Sequence, residues 1–235
     1  NLFAASAEGI FSCPIAGGNW LPKNGNITRA RTTIGWADNN LVLAGSGFYS
    51  GLKRTQNGGA TWTNTSIVNQ QGLYRSGIKI NNTIIIPSSY TMYTSTDDGQ
   101  TWTSPFVAPI PNNDIAKYGN AIIAPSGNNV VYSDDLGQSW NIYSSGLPVN
   151  GTVYSVGVMG ESAYAGINNS VYKMAYPGAP WTNFSQGIQG NGLMSSILSI
   201  GNTLVANSTL GIYRRTTEDS LWRNIYQNAS VIDFI

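Results

Sequence analysis

The sequence predicts an all-β fold, a single six-bladed β-propeller spanning residues 1–235, and three observations carry the prediction. Tryptophans recur at Trp20, Trp62, Trp102, Trp140, Trp181 and Trp222, spaced by 42, 40, 38, 41 and 41 residues, and of the seven tryptophans only Trp36 is out of phase. Short β-branched runs precede the anchors in a fixed order, and the two chain ends are in complementary phase. A repeat of 20 to 50 residues marks solenoids and propellers, because one unit cannot bury its apolar face alone.

Each repeat reads as four antiparallel strands. The first is an apolar run such as 74–80, 153–158 or 195–200. A tight turn closes it, at Asn39-Asn40, Asn81-Asn82, Gly119-Asn120, Gly160-Glu161 or Gly201-Asn202, residue types that accept the positive φ of a two-residue hairpin. The second strand follows at 41–44, 121–124 and 203–206, the third at 52–54, 130–132 and 212–214, and the fourth carries the tryptophan. Four such strands in about 40 residues make one blade. The chain opens on a second strand, 2–5, and ends on a first strand, 231–235, so the last segment is expected to complete the first blade. Such closure removes open sheet edges.

Around the tryptophans the text itself repeats. Residues 95–102 and 133–140 share Ser-x-Asp-x-Gly-x-Thr/Ser-Trp, and 55–62 is a near match with Asn57 in the Asp place. Residues 174–181 keep Gly178 and Trp181, 13–20 keep Gly17 and Trp20, and 215–222 keep only Trp222. This run resembles the Asp-box, or bacterial neuraminidase repeat, of the six-bladed sialidase-like superfamily. The resemblance implies structural roles for Asn57, Trp62, Asp97, Gly99, Trp102, Asp135, Gly137 and Trp140: the Asx side chain accepts hydrogen bonds from its own turn, and the tryptophan packs between strands. Asx side chains suit that role because they mimic a backbone carbonyl. The adjacent acids Asp97-Asp98 and Asp134-Asp135 do not converge as a catalytic pair, since neighbouring strand residues point to opposite faces.

Composition narrows the function classes. Charged residues make up 10% of the chain and the net charge is +1, with Lys and Arg scattered, so a nucleic-acid footprint is not expected. No apolar run is long enough for a membrane-spanning helix, and no membrane insertion is expected. Cys13 is the single cysteine and histidine is absent, which removes the usual zinc, copper and iron ligand sets; no metal and no cofactor are expected. A chain starting at Asn1 without Met is expected to have lost an export signal. Asn-x-Ser/Thr acceptors begin at Asn26, Asn64, Asn81, Asn150, Asn168, Asn183, Asn207 and Asn228, candidates for glycosylation on an extracellular or cell-surface protein.

The resemblance places ligands on the face opposite the boxes, at the loops that enter each first strand and those between second and third strands. Candidate ligand-binding residues there are Arg29, Arg31, Tyr49, Tyr74, Arg75, Tyr90, Asp114 and Tyr154, with Phe48 and Trp36 as further aromatic platforms for a sugar ring. A sialidase would need an arginine triad, a tyrosine nucleophile helped by a glutamate, and an acid–base aspartate. Glu161 and Glu218 fall at the opposite face, the Arg-Ile-Pro signature is absent, and Asp114 and Asp233 lie on blades that are not neighbours, so no catalytic residue is assigned. The expected function is a non-catalytic extracellular binding or adhesion module whose partner is a glycan or a cell-surface protein. Two alternatives stay open: a self-assembling filament or surface-layer subunit, a homo-oligomer; and a sialidase-like glycoside hydrolase.

Overall fold

The computed structural model describes residues 1–6, 8–14, 16–27, 32–38, 40–46, 51–68, 74, 76–88, 91–106 and 114–227. The chain is all-β, with strands arranged as the six successive antiparallel sheets of a six-bladed propeller and no helix among the described residues. Its contacts group into two compact units, Asn1–Ala108 and Pro109–Ile235, with three sheets in each. The predicted closing strand, 231–235, lies outside the described residues.

In the first unit, the opening sheet pairs β1 (Leu2–Ser6), β2 (Gly9–Cys13) and β3 (Leu21–Pro22) in order. The second contains β4 (Thr32–Asp38), β5 (Leu41–Ser46), β6 (Leu52–Thr55) and β7 (Thr63–Asn64), and the third β8 (Ile78–Ile80), β9 (Thr83–Pro87), β10 (Met92–Ser95) and β11 (Thr103–Phe106). One core cluster joins the first two sheets through Ile10, Ile34, Val42, Ala44 and Trp62, and another joins the second to the third through Leu43, Leu52, Tyr74, Ile84 and Ile86. Trp36, the tryptophan out of phase, packs against this second cluster under the Lys79 ammonium, 5.5 Å from its ring centre, so it is a packing residue.

The second unit repeats the pattern. Its sheets are β12 (Ala116–Tyr118), β13 (Ala121–Ser126), β14 (Asn129–Ser133) and β15 (Asn141–Ile142); then β16 (Val153–Met159), β17 (Ser162–Ile167), β18 (Ser170–Met174) and β19 (Thr182–Asn183); then β20 (Met194–Ile200), β21 (Thr203–Ser208), β22 (Gly211–Thr216) and β23 (Arg223–Gln227). Again each cluster sits between consecutive sheets, with Tyr118, Ile123, Val153, Ile167 and Trp181 in one and Tyr164, Met194, Leu204, Tyr213 and Trp222 in the other. Burial between sheets is what a repeat with an apolar face requires.

The predicted hairpins form with the predicted residues. Ile80 pairs with Thr83, Tyr118 with Ala121, Met159 with Ser162 and Ile200 with Thr203, and the first turn residue has φ of 53° at Asn81, 63° at Gly119, 60° at Gly160 and 57° at Gly201. One strand is shorter than the sequence predicts: the run 74–80 pairs only from Ile78. Ser76 takes φ 48° and Gly77 donates its N–H to Gly35 O at 2.6 Å in the preceding sheet, which leaves neither residue available to the ladder. A second departure is Trp20, which is 48% exposed and so does not pack as the repeat implies.

Candidate functional site

The tryptophan-anchored turns are closed hydrogen-bond systems. Asp97 Oδ1 accepts from the backbone N–H of Gln100 and Thr101 at 3.0 and 2.9 Å, while its Oδ2 accepts from Thr101 Oγ1 at 2.6 Å. Asp135 repeats this with Ser139, whose N–H and hydroxyl donate at 2.8 and 2.7 Å. In each turn a hydroxyl two residues earlier, Ser95 or Ser133, donates to the aspartate and accepts from the glycine N–H, Gly99 or Gly137, at 2.9 and 2.7 Å. Asn57 substitutes for aspartate by accepting from Thr61 N–H at 2.9 Å, and its amide donates to Thr61 Oγ1. The Thr101 hydroxyl and N–H hold the Asp97 carboxyl down to about 2, and the Ser139 N–H and hydroxyl do the same for Asp135.

The residue between aspartate and glycine is left-handed, with φ of 55° at Asp98 and 60° at Leu136; the corresponding residue of the first turn is Gly58, at 64°. Two consecutive left-handed residues aim the turn N–H groups at the carboxylate. The last repeat, 215–222, is rebuilt around a different residue. Asp219 stands where the other turns have glycine and accepts from Thr216 N–H and Oγ1 at 2.9 and 2.7 Å, which lowers its pKa, and it pairs with Arg223 at 3.4 Å. Arg215 lies 3.6 Å above the Phe184 ring and donates to the carbonyls of Phe184, Asp219 and Ser220.

Four of the tryptophans also tie their sheet to the one before it. The backbone N–H of Trp62 donates to Asn26 Oδ1 and that of Trp102 to Ser66 Oγ, each 36 residues back at 2.9 Å. Those of Trp181 and Trp222 donate to Ser145 O and Gln186 O, both at 2.8 Å and both at the same separation. Three indoles reach back as well: Trp62 to Lys23 O, Trp181 to Tyr143 O and Trp222 to Phe184 O. Trp102 and Trp140 instead donate to Gly99 O and Gly137 O in their own turns.

Of the candidate ligand-binding residues, Arg29, Arg31, Tyr49, Arg75 and Tyr90 lie outside the described residues, as does Phe48. Tyr74 is not presented to a ligand: its side chain is 1% exposed, its ring centre is 6.2 Å from that of Tyr93, and its hydroxyl has no partner among the described residues. Burial pushes its phenol well above the usual range, opposite to what a phenolate nucleophile needs. Asp114 is committed to the fold, its Oδ2 accepting from Val156 N–H of the next sheet at 2.8 Å. Tyr154 is half-buried at the bulge where Val153 pairs with Ile167 and Ser155 with Gly166. A bulge falls at the equivalent position of β20, at Ser195, and another at Gly35 of β4, nearer the hairpin turn; alternation alone did not reveal them.

Among the sequons, Asn64, Asn81, Asn150, Asn168 and Asn183 are exposed, and Asn26 is exposed but spends its amide on the N–H and carbonyl of Trp62. Asn207 is fully buried and donates to Ser195 Oγ, so it offers no surface for a glycan; Asn228 lies outside the described residues.

A cleft of about 640 Å³ opens in the second unit, between the loop that follows β19 and the pair β22–β23. It is lined by Gly187, Gln189, Gly190, Leu210, Leu221, Asn224 and Gln227, together with the buried Tyr213 and Trp222. The candidates above include none of these residues. The signal that pointed to them is the run Gly187-Ile-Gln-Gly-Asn-Gly192, three glycines in six residues, of which Gly187 and Gly190 take φ of 98° and 79°. Among the described residues no cluster of three His, Cys, Asp or Glu has the geometry of a metal site.

No protein-family model matches the chain, and no curated protein matches it. Solved structures do. The extracellular domain of BT4673 from B. thetaiotaomicron aligns with a TM-score of 0.71 at 16% identity, over 95% of this chain and 31% of that one. An ancestral GH74 enzyme aligns with a TM-score of 0.62 at 20% identity, over 82% of this chain and 31% of that one. YCF48 bound to D1 peptide aligns with a TM-score of 0.59 at 16% identity, over 83% of this chain and 66% of that one. At these identities the likeness is one of fold: this chain shares its propeller fold with extracellular domains and with GH74 enzymes. It spans about a third of the length of the GH74 and BT4673 structures.

Proposed function

We propose that the chain is a non-catalytic extracellular binding module, directed at glycans or a glycan-bearing cell surface, on a propeller whose turns are Asp-boxes. The observation that carries the reading is that four of its aspartates are spent on the fold. Asp97, Asp135 and Asp219 are each made more acidic by donors of their own turns, and Asp114 accepts a backbone N–H of the adjoining sheet. Glycoside hydrolysis needs a carboxyl tuned the other way, protonated near neutral pH and paired across the bond. The Asp-box reading is supported by the Ser–Asp–Gly hydrogen-bond ring at 95–99 and again at 133–137.

An exterior address is supported by the sparse charge, the single thiol, the exposed sequons and the shared fold of the BT4673 extracellular domain. Glycan selection is supported by a surface rich in amides and hydroxyls, groups that exchange hydrogen bonds with sugar hydroxyls in both directions. A glycan array probed with the purified chain tests this. Binding to a defined set of saccharides is the expected result, and silence across sialylated, fucosylated and plant-type glycans removes the reading.

One observation favours a second reading, a self-assembling subunit. The outer strands β3, β7, β15 and β19 are two residues long, whereas β23 is five residues long and exposed throughout, with Ile225 at 54% and Tyr226 at 61%. A long exposed edge is a pairing template. Native mass spectrometry showing only monomers at micromolar concentration counts against assembly.

A further inference from the structure

We infer that the cleft between the loop after β19 and β22–β23 binds an uncharged oligosaccharide, an inference that rests on the reading of the chain as a glycan-directed module. The cleft's size, about 640 Å³, falls in the range of about 300–1,000 Å³ common to small-ligand sites.

Its lining selects the ligand by charge. Among the described residues no Lys, Arg, Asp or Glu lines it. Arg214 and Arg223, next to the lining in sequence, are register partners across β22–β23 and so stand on the face opposite Tyr213 and Asn224, and Arg215 is spent on the Phe184 ring and three carbonyls. A sialic acid, uronic acid, sulfate or phosphate group would therefore enter without a counter-charge, which is unfavourable where water is displaced. A neutral ligand meets no such cost.

The polar groups that do line the cleft are the amide residues Gln189, Asn224 and Gln227. All three are exposed, and none of their side-chain amides is hydrogen-bonded among the described residues. Each amide offers two N–H donors and a carbonyl acceptor, a set that matches adjacent hydroxyls on a sugar ring. The apolar complement is equally specific. Leu210 and Leu221 stand at the rim 44% and 41% exposed, surfaces for the C–H face of a pyranose, while Tyr213 spends its hydroxyl on Gln189 O and so fixes the loop. Gly190 keeps the cleft open: a Cβ there would come within 2.5 Å of Leu210 Cδ1. Uncommitted amides, apolar rims and no charge together describe a site for neutral sugar rings.

Titration calorimetry on the full chain tests this, with cellohexaose, xylohexaose and mannohexaose as neutral probes and sialyllactose and a heparin hexasaccharide as acidic ones. The assignment expects at least one neutral probe to bind and the acidic ones not to. It expects the double variant Gln189→Ala/Asn224→Ala to weaken binding about tenfold, the loss of two hydrogen bonds. Gln227→Ala is an independent second variant, and Lys117→Ala on β12 is a control that should bind like the parent. All of these positions are exposed, and an unchanged melting temperature verifies folding. Neutral binding that both cleft variants leave intact overturns the cleft assignment while leaving the module reading standing. Binding of acidic probes alone does the same. No binding to any probe, with a silent glycan array, overturns both.

Discussion

The indole N–H of Trp222 donates to the main-chain carbonyl of Phe184 at 2.8 Å, and the two rings meet edge to face with centres 6.3 Å apart. Trp222 immediately precedes the fourth strand of one sheet, β23, and Phe184 immediately follows that of the sheet before it, β19. The same indole-to-carbonyl link joins Trp181 to Tyr143 and Trp62 to Lys23. These three sheets are therefore each pinned to the preceding one by a buried donor, in addition to the apolar surface between them.

Trp222→Phe removes that donor from a site where the tryptophan is 1% exposed, leaving the Phe184 carbonyl only the longer 3.3 Å bond from Arg215. The expected cost is about 0.5–1.5 kcal/mol for the lost hydrogen bond, added to lost packing. Trp140→Phe should cost markedly less, because Trp140 is only half-buried and its indole bonds its own turn at Gly137 O. Chemical denaturation of the two variants side by side checks the difference; equal destabilisation contradicts the account.

The pH dependence of stability follows from the aspartate turns. The turn donors hold the pKa of Asp97 and Asp135 down to about 2, below the ordinary value of 3.8. A depressed pKa stabilises the fold at pH above the unfolded value, and that contribution is lost as pH falls from about 4 towards 2. Both carboxylates are solvent-accessible, so screening keeps the effect modest. Asp97→Asn/Asp135→Asn should fold, as the natural Asn57 turn does, and should show a flatter decline of melting temperature over that interval than the parent.

Leu136 holds a left-handed conformation, φ 60°, in the place that Gly58 fills in another turn. A branched residue there costs roughly 1–2 kcal/mol relative to one without a Cβ clash. Leu136→Gly is therefore expected to raise the melting temperature. A decrease would mean that the leucine side chain packs usefully enough to outweigh the strain.

Arg215 is 9% exposed, with its guanidinium spread over the Phe184 ring and bonded to three carbonyls in different directions. Lysine cannot reproduce a planar fork. Arg215→Lys should lower stability by about 1–3 kcal/mol, the loss of charge-assisted hydrogen bonds to these carbonyls, and circular dichroism melts measure it.

Much of the fold was legible in the sequence because the repeat writes it six times. The tryptophan period located the sheets, and Asn81, Gly119, Gly160 and Gly201 announced their hairpins by accepting positive φ. Asp97 and Asp135 were readable as turn acceptors for the same reason: a Ser two residues before and a Thr or Ser four after leave the carboxylate facing its own backbone. The site was less legible. Tyr74 has the residue type of a ligand contact, but its burial comes from Leu43, Leu52, Ile84 and Ile86, which approach it from two different sheets. Asp114 is held by Val156, 42 residues away, and no local spacing encodes that bond. The cleft was missed because its lining residues come from three separate stretches of the last two repeats and include no charged residue to draw notice.

The central claim, binding without turnover, is tested most directly by one-dimensional proton NMR of a neutral hexasaccharide incubated with the chain. The account predicts broadened sugar resonances that recover when the protein is removed, with the anomeric signals unchanged in number and intensity after prolonged incubation. New reducing-end anomeric signals that grow with time would contradict it and identify the chain as a glycoside hydrolase.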